Sequence, residues 1–132
     1  MIIYNEKIRS SFKDVDVTVR HILVVMKEHQ ALSDDTLLFK VSFVLRELMN
    51  NSVEHGNCFD VNKHIKCHVA YDAPNLCIEI SDEGKGFVRN DGYYKALDND
   101  KRERRRGLKL IEELDFDIEI EQSTIRLNID VS

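Results

Sequence analysis

The ten residues ELMNNSVEHG, 47–56, pose the question on which this sequence turns. They read as the second half of an amphipathic helix. Leu38, Val41, Leu45, Leu48 and Ser52 recur at helical intervals, Ser33 is placed to cap the start with Asp34 and Asp35 in the first turn, and Gly56 supplies the stop. Yet Glu47, Asn50, Asn51, Glu54 and His55 crowd into the same stretch, and such groups are costly to bury. At about 100° per residue, Glu47 and Asn51 share one flank, one turn apart, to the side of the apolar stripe. A carboxylate and a carboxamide at that spacing suit a site in which the amide oxygen coordinates a hard cation and the carboxylate polarises a hydroxyl or water. Similar pairs also occur on ordinary solvent-facing helices, so the pair decides nothing without company.

Outward from this helix, the pattern predicts strand, helix, helix, strand, strand, loop, helix, strand, strand. Ile2 to Ile8 reads as an edge strand, and Ser11 starts a helix through about Gln30, with Ser11 and Asp14 in capping-box-like spacing and Val15, Val19, Ile22 and Met26 as its apolar stripe. Lys63 to Tyr71 alternates like a strand, with Ile65, Cys67, Val69 and Tyr71 on one face and His64, Lys66 and His68 on the other. A turn at Asp72 to Asn75 joins it to an antiparallel neighbour. Phe87 to Arg106 is a polar loop of a length that usually marks function or disorder. A helix from Gly107 to about Leu114 and two strands, Asp117 to Glu121 and Thr124 to Val131, close the chain.

A chain of 132 residues with 42% hydrophobic and 33% charged residues is expected to form one globular domain, residues 1–132, around a single core. The longest apolar run, Ile22 to Met26, is far short of the roughly twenty residues of a membrane span, and no signal-peptide pattern is present, so a cytoplasmic protein without membrane contact is expected. A net charge of −5 disfavours direct binding to nucleic acid. Three cysteines, Cys58, Cys67 and Cys77, without a C-x-x-C pair indicate reduced thiols. A zinc site could be imagined among His55, Cys58, His64, Cys67 and His68, but strand alternation separates these ligands and favours core cysteines and solvent histidines.

Two further motifs give the helix its company. In ISDEGKGF, residues 80–87, a strand ends in Asp82, and Gly84 and Gly86 allow the backbone to turn tightly and approach a ligand. An ionised carboxylate at the strand end is a strong acceptor for an exocyclic amine such as that of adenine, while the plain alternative is a glycine-rich turn. In RRRGLKLIEEL, Gly107 opens a helix whose N-terminus presents free N–H groups to phosphate. KRERRR, residues 101–106, is a basic island before it, either a phosphate-facing segment or a solvated loop.

In this order and spacing the three motifs resemble the GHKL nucleotide-binding superfamily, and the form E-x-x-x-N-x-x-x-H-G with a short lid looks most like the bacterial anti-sigma factor serine/threonine kinases. The resemblance spans residues 2–131. It implies an α+β fold, a two-layer α/β sandwich whose mixed, mostly antiparallel sheet carries helices on one face. It also implies binding of ATP with Mg²⁺, sequestration of a sigma factor, phosphorylation of a STAS-type anti-anti-sigma protein, and a homodimer. Position by position, Glu47 would be the catalytic carboxylate and Asn51 the magnesium ligand, with His55 and Gly56 completing that box. Asp82 would read adenine, Gly84 and Gly86 would shape the turn, and Gly107 with Leu108 would face the phosphates beside Arg105 and Arg106. Two positions depart from the family pattern. Arg105 stands in place of the first lid glycine, where it either restricts the lid's approach or contacts phosphate through its guanidinium. Gln122-Ser123-Thr124 replaces a glycine-threonine pair and keeps a hydroxyl at Ser123. Beside the kinase, the alternative is a nucleotide-gated binding module that regulates a partner without phosphotransfer.

Overall fold

A computed structural model of the chain describes residues 1–84 and 107–132. Its elements follow the predicted order: β1 (Ile2–Arg9), α1 (Phe12–Lys27), a 3₁₀ turn (Gln30–Leu32), α2 (Asp35–Asn51), a π turn (Ser52–Gly56), β2 (His64–Asp72), β3 (Asn75–Ser81), a helical segment over residues 107–113, β4 (Asp117–Glu121) and β5 (Thr124–Asp130). The strands form one sheet in the order β1-β2-β3-β5-β4. Every pairing in it is antiparallel, so the mixed sheet expected from the resemblance contains no parallel pair among the described strands. The loop expected over residues 87–106, with Gly86, Arg105 and Arg106, lies outside the described residues.

Alternation builds the two layers. Ile65, Cys67 and Val69 of β2, Leu76, Ile78 and Ile80 of β3, and Ile125, Leu127 and Ile129 of β5 all point to one face. There they meet Val15, Val19, Ile22 and Met26 of α1 and Val41, Leu45, Leu48 and Met49 of α2. Fully burying one such aliphatic side chain contributes about 1.5–3 kcal/mol, so this face fixes both the register and the seating of the helices. Ile111 and Phe116 extend the same core from the C-terminal part of the chain. The other face of the sheet is polar, with Arg126 paired to Glu79 on one side and Glu121 on the other, each at 3.1 Å.

Helix boundaries depart from the sequence reading in two places. Asp34, rather than Ser33, caps α2: its carboxylate accepts the Leu37 N–H at 3.0 Å, while the Ser33 hydroxyl donates to the Gln30 carbonyl. Of two adjacent candidates, the charged acceptor interacts better with the helix N-terminus, and such a cap contributes about 1 kcal/mol. The first helix ends at Lys27 rather than near Gln30, because the 3₁₀ turn swings Leu32 fully into the core. Its start is as expected, with the Asp14 N–H donating to Ser11 Oγ at 3.1 Å. The two helices are tied by Arg46 of α2, which donates to Asp16 of α1 at 2.6 Å. Arg20 also bonds Asp16, and these two arginines hold the Asp16 carboxyl below its usual range.

The cysteines are free, and no cluster of metal-ligating side chains occurs among the described residues. No described helix is long and apolar enough to cross a membrane. Cys67 is fully buried, and burial pushes its thiol up to about 12, while Cys58 and Cys77 are exposed. Because the thiolate is the reactive form, a thiol reagent at mildly alkaline pH should modify two cysteines in the native protein and all three in denaturant. Three equivalents consumed by folded protein would contradict the closed inner face.

Candidate nucleotide site

The site begins with the flank of α2 that lies to one side of the sheet-packed stripe. Glu47 and Asn51 are both partly buried, and Asn51 Nδ2 lies 3.4 Å from Glu47 Oε1. With its amide nitrogen turned to the carboxylate, Asn51 directs its oxygen elsewhere, as a cation ligand requires. One residue earlier, the side-chain oxygen of Asn50 is buried without a hydrogen-bond partner among the described residues. A buried acceptor left in that state next to Asn51 is a feature of sites that a water or ligand completes.

Gly107 lies against the Glu47 side chain. A Cβ built there would fall 2.2 Å from Glu47 Oε1 and 3.0 Å from its carboxyl carbon. The glycine of the third motif is therefore packed on the carboxylate of the first. Leu108, expected at the phosphates, is partly buried and packs against the core.

After Asn51 the helix widens into the π turn, in which the Asn57 N–H donates to the Ser52 carbonyl at 2.7 Å, five residues back. Gly56 is thus the end of a helical run rather than a stop just beyond one. Single π turns recur at functional sites because the extra residue re-aims the chain beyond it. Here it presents Gly56 to the end of β3. A Cβ on Gly56 would lie 2.1 Å from Asp82 Oδ2, and a Cβ on Gly84 would lie 2.2 Å from the Gly56 carbonyl oxygen. The Asp82 N–H donates to the Ser123 carbonyl at 3.2 Å, and Asp82 Oδ1 accepts the Gly84 N–H at 2.8 Å. The carboxylate expected to read an amine is therefore fixed by its own turn. Ser123, one of the departures from the family pattern, takes part through its backbone.

His55 is nearly buried, 14% exposed at the side chain, with Nε2 3.4 Å from Glu54 Oε2. Asn57, absent from the sequence reading, is fully buried and joins the turn to the rest of the site. Of the expected residues, the structure brings Glu47, Asn51 and Gly107 into one group and Gly56, Asp82 and Gly84 into another, linked by the π turn. A shallow groove on the sheet's opposite face, lined by His68, Cys77, Glu79 and Arg126 among others, includes none of them.

Residues 11–129 match the family model of the histidine kinase-like ATPase domain. The chain belongs to that family, within the GHKL superfamily. No curated protein matches its sequence. Among solved structures, it is similar to the histidine kinase domain of the blue-light activated histidine kinase EL346 from Erythrobacter litoralis, with a TM-score of 0.51 and 10% identity. That match covers 89% of this chain and 61% of the other, and at this identity it bears on the fold alone. Membership of an ATPase-domain family agrees with a carboxylate and a cation-suited amide oxygen one turn apart on α2.

The glycine contacts differ in what blocks a side chain. At Gly84 the obstacle is backbone, so Gly84→Ala should destabilise the fold by about 1–3 kcal/mol through forced displacement of the π turn. At Gly107 it is the tip of a flexible glutamate, and alanine also gains up to about 1 kcal/mol of helix propensity, so Gly107→Ala should stay within about 1 kcal/mol of wild type. Urea denaturation of both variants checks the order, and Gly107→Ala proving the more damaging would contradict these contacts.

Proposed function

We propose that the protein binds ATP with Mg²⁺ between α2 and the ends of the sheet strands and transfers phosphate to a serine or threonine of a partner protein. The Glu47–Asn51 pair, with Glu47 packed against Gly107, carries this reading, since it holds a proton acceptor and a cation ligand within one turn of helix. Asp82 accepts the exocyclic amine of adenine, and Asn51 with neighbouring oxygen ligands holds the cation. Glu47 orients and deprotonates the acceptor hydroxyl. Bound Mg²⁺ neutralises charge on the phosphates, and the protein's part in such transfers is chiefly positioning and electrostatics.

The motif pattern supports a more particular role, an anti-sigma factor kinase. In this reading a homodimer sequesters a sigma factor in the cytoplasm and phosphorylates an anti-anti-sigma protein of the STAS type. A second reading, a nucleotide-gated clamp without phosphotransfer, is favoured by one observation, the arginine at position 105 where related lids carry glycine. Retention of Glu47 favours the kinase.

Three substitutions separate these roles. Asp82→Asn replaces a charged acceptor with an amide, which costs about 1.5–3 kcal/mol of a charge-assisted bond, so ADP affinity should fall at least about tenfold. Asn51→Ala should lose the Mg²⁺-dependent part of ATP binding. Glu47→Ala should keep Mg²⁺–ATP binding while transfer falls by about 10²–10⁴-fold in a single-turnover assay with labelled ATP. Wild-type protein that binds ATP but transfers nothing to its cognate partner would leave the clamp as the better account.

A further inference from the structure

We propose that Asn57 is a positioning residue for the nucleotide: its buried side-chain amide holds the turn at Asp82–Gly84 in register with the end of α2. The inference rests on the nucleotide reading above and concerns what keeps Asp82 in place. Asn57 is 0% exposed and comes directly after the π turn. Its Oδ1 accepts the Glu83 N–H at 2.9 Å, and its Nδ2 donates to Ser10 Oγ and to the His64 carbonyl, both at 3.0 Å. A carboxamide is the side chain that offers an acceptor in one direction and two donors in the other. Glu83 is held a second time, since its carboxylate accepts the His64 N–H. One buried amide thereby joins the ends of β1 and α2, the start of β2, and the turn that carries Asp82.

The backbone of that turn shows why the middle contact matters. Beyond Ser81 the β3 ladder ends, and three successive N–H groups need other partners. Asp82 finds the Ser123 carbonyl, Gly84 finds the Asp82 carboxylate, and Glu83 finds Asn57. Without Asn57, the N–H between the two residues that touch Gly56 loses its acceptor, and the carboxylate can drift while the sheet beneath stays intact. Displacements on the order of 1 Å at a recognition group are enough to weaken a bound ligand.

The test compares Asn57→Ala and Asn57→Asp with wild type, reading ADP affinity by calorimetry and backbone amide exchange by NMR. Aspartate keeps an acceptor for Glu83, and the Ser10 hydroxyl can turn to donate to it. In Asn57→Ala, exchange at Glu83 should accelerate while Ile78 within β3 stays protected, and ADP affinity should fall about tenfold, the loss of one buried hydrogen bond. Asn57→Asp should retain Glu83 protection and bind ADP more tightly than the alanine variant. The inference is overturned if folded Asn57→Ala binds ADP as wild type does, or if exchange rises equally at Ile78 and Glu83, as a merely structural role would give. Should the alanine variant fail to fold, loss of Glu83 protection in folded Asn57→Asp overturns it instead. Failure of wild type to bind ADP removes the nucleotide reading itself, and the exchange contrast then still decides whether Asn57 holds the turn.

Discussion

The site depends on a near-contact between two backbones, the Gly56 carbonyl against Gly84, with room for no side chain between them. The end of a helix and the end of a strand rarely come so close, because each carries polar groups that need partners and side chains that need space. Here the glycines remove the side chains, and the π turn re-aims the helix end. The partners come from Asp82, Ser123 and Asn57. Once this approach is fixed, the turn that carries Asp82 is tied through the π turn to the end of the helix that carries Glu47 and Asn51. Elsewhere the core needs only apolar residues at the right period; at this corner it needs particular ones.

The core and its register are legible in the sequence because they arise from periodicity. Alternation in Lys63 to Tyr71 gives the inner face of β2 correctly, and the stripe Val15, Val19, Ile22, Met26 gives the inner face of α1. Local competition is harder to read. Ser33 and Asp34 are both good caps, and the choice shows only in the structure, where the Ser33 hydroxyl donates to the Gln30 carbonyl and leaves the helix end to Asp34. The π turn leaves no signal, since Ser52 to Gly56 has the same composition whether the hydrogen bonds span four residues or five.

The candidate residues divide in the same way. Glu47, Asn51, Gly56, Asp82 and Gly84 announce themselves by chemistry and spacing, and the structure gathers them into two groups joined by the π turn. Asn57 does not, because an asparagine after a glycine reads as an exposed turn former. Its burial arises only when Ser10, His64 and Glu83, far apart in sequence, close around it. His55 reads as a ligand-binding residue, and the structure places it nearly buried in the π turn, with Nε2 3.4 Å from Glu54 Oε2.

The last strand of the sheet order has a bearing on how the protein behaves at high concentration. β4 comes last in the order of the described strands, and its sequence DIEIE carries Asp117, Glu119 and Glu121, all exposed. An open strand margin is a template on which another chain can add itself, and the outcome of repeated addition is a fibre. Two such margins brought together would set rows of carboxylates side by side in a medium that only partly screens them. Such repulsion opposes backbone pairing between copies, so the carboxylates of β4 disfavour addition of one sheet to another.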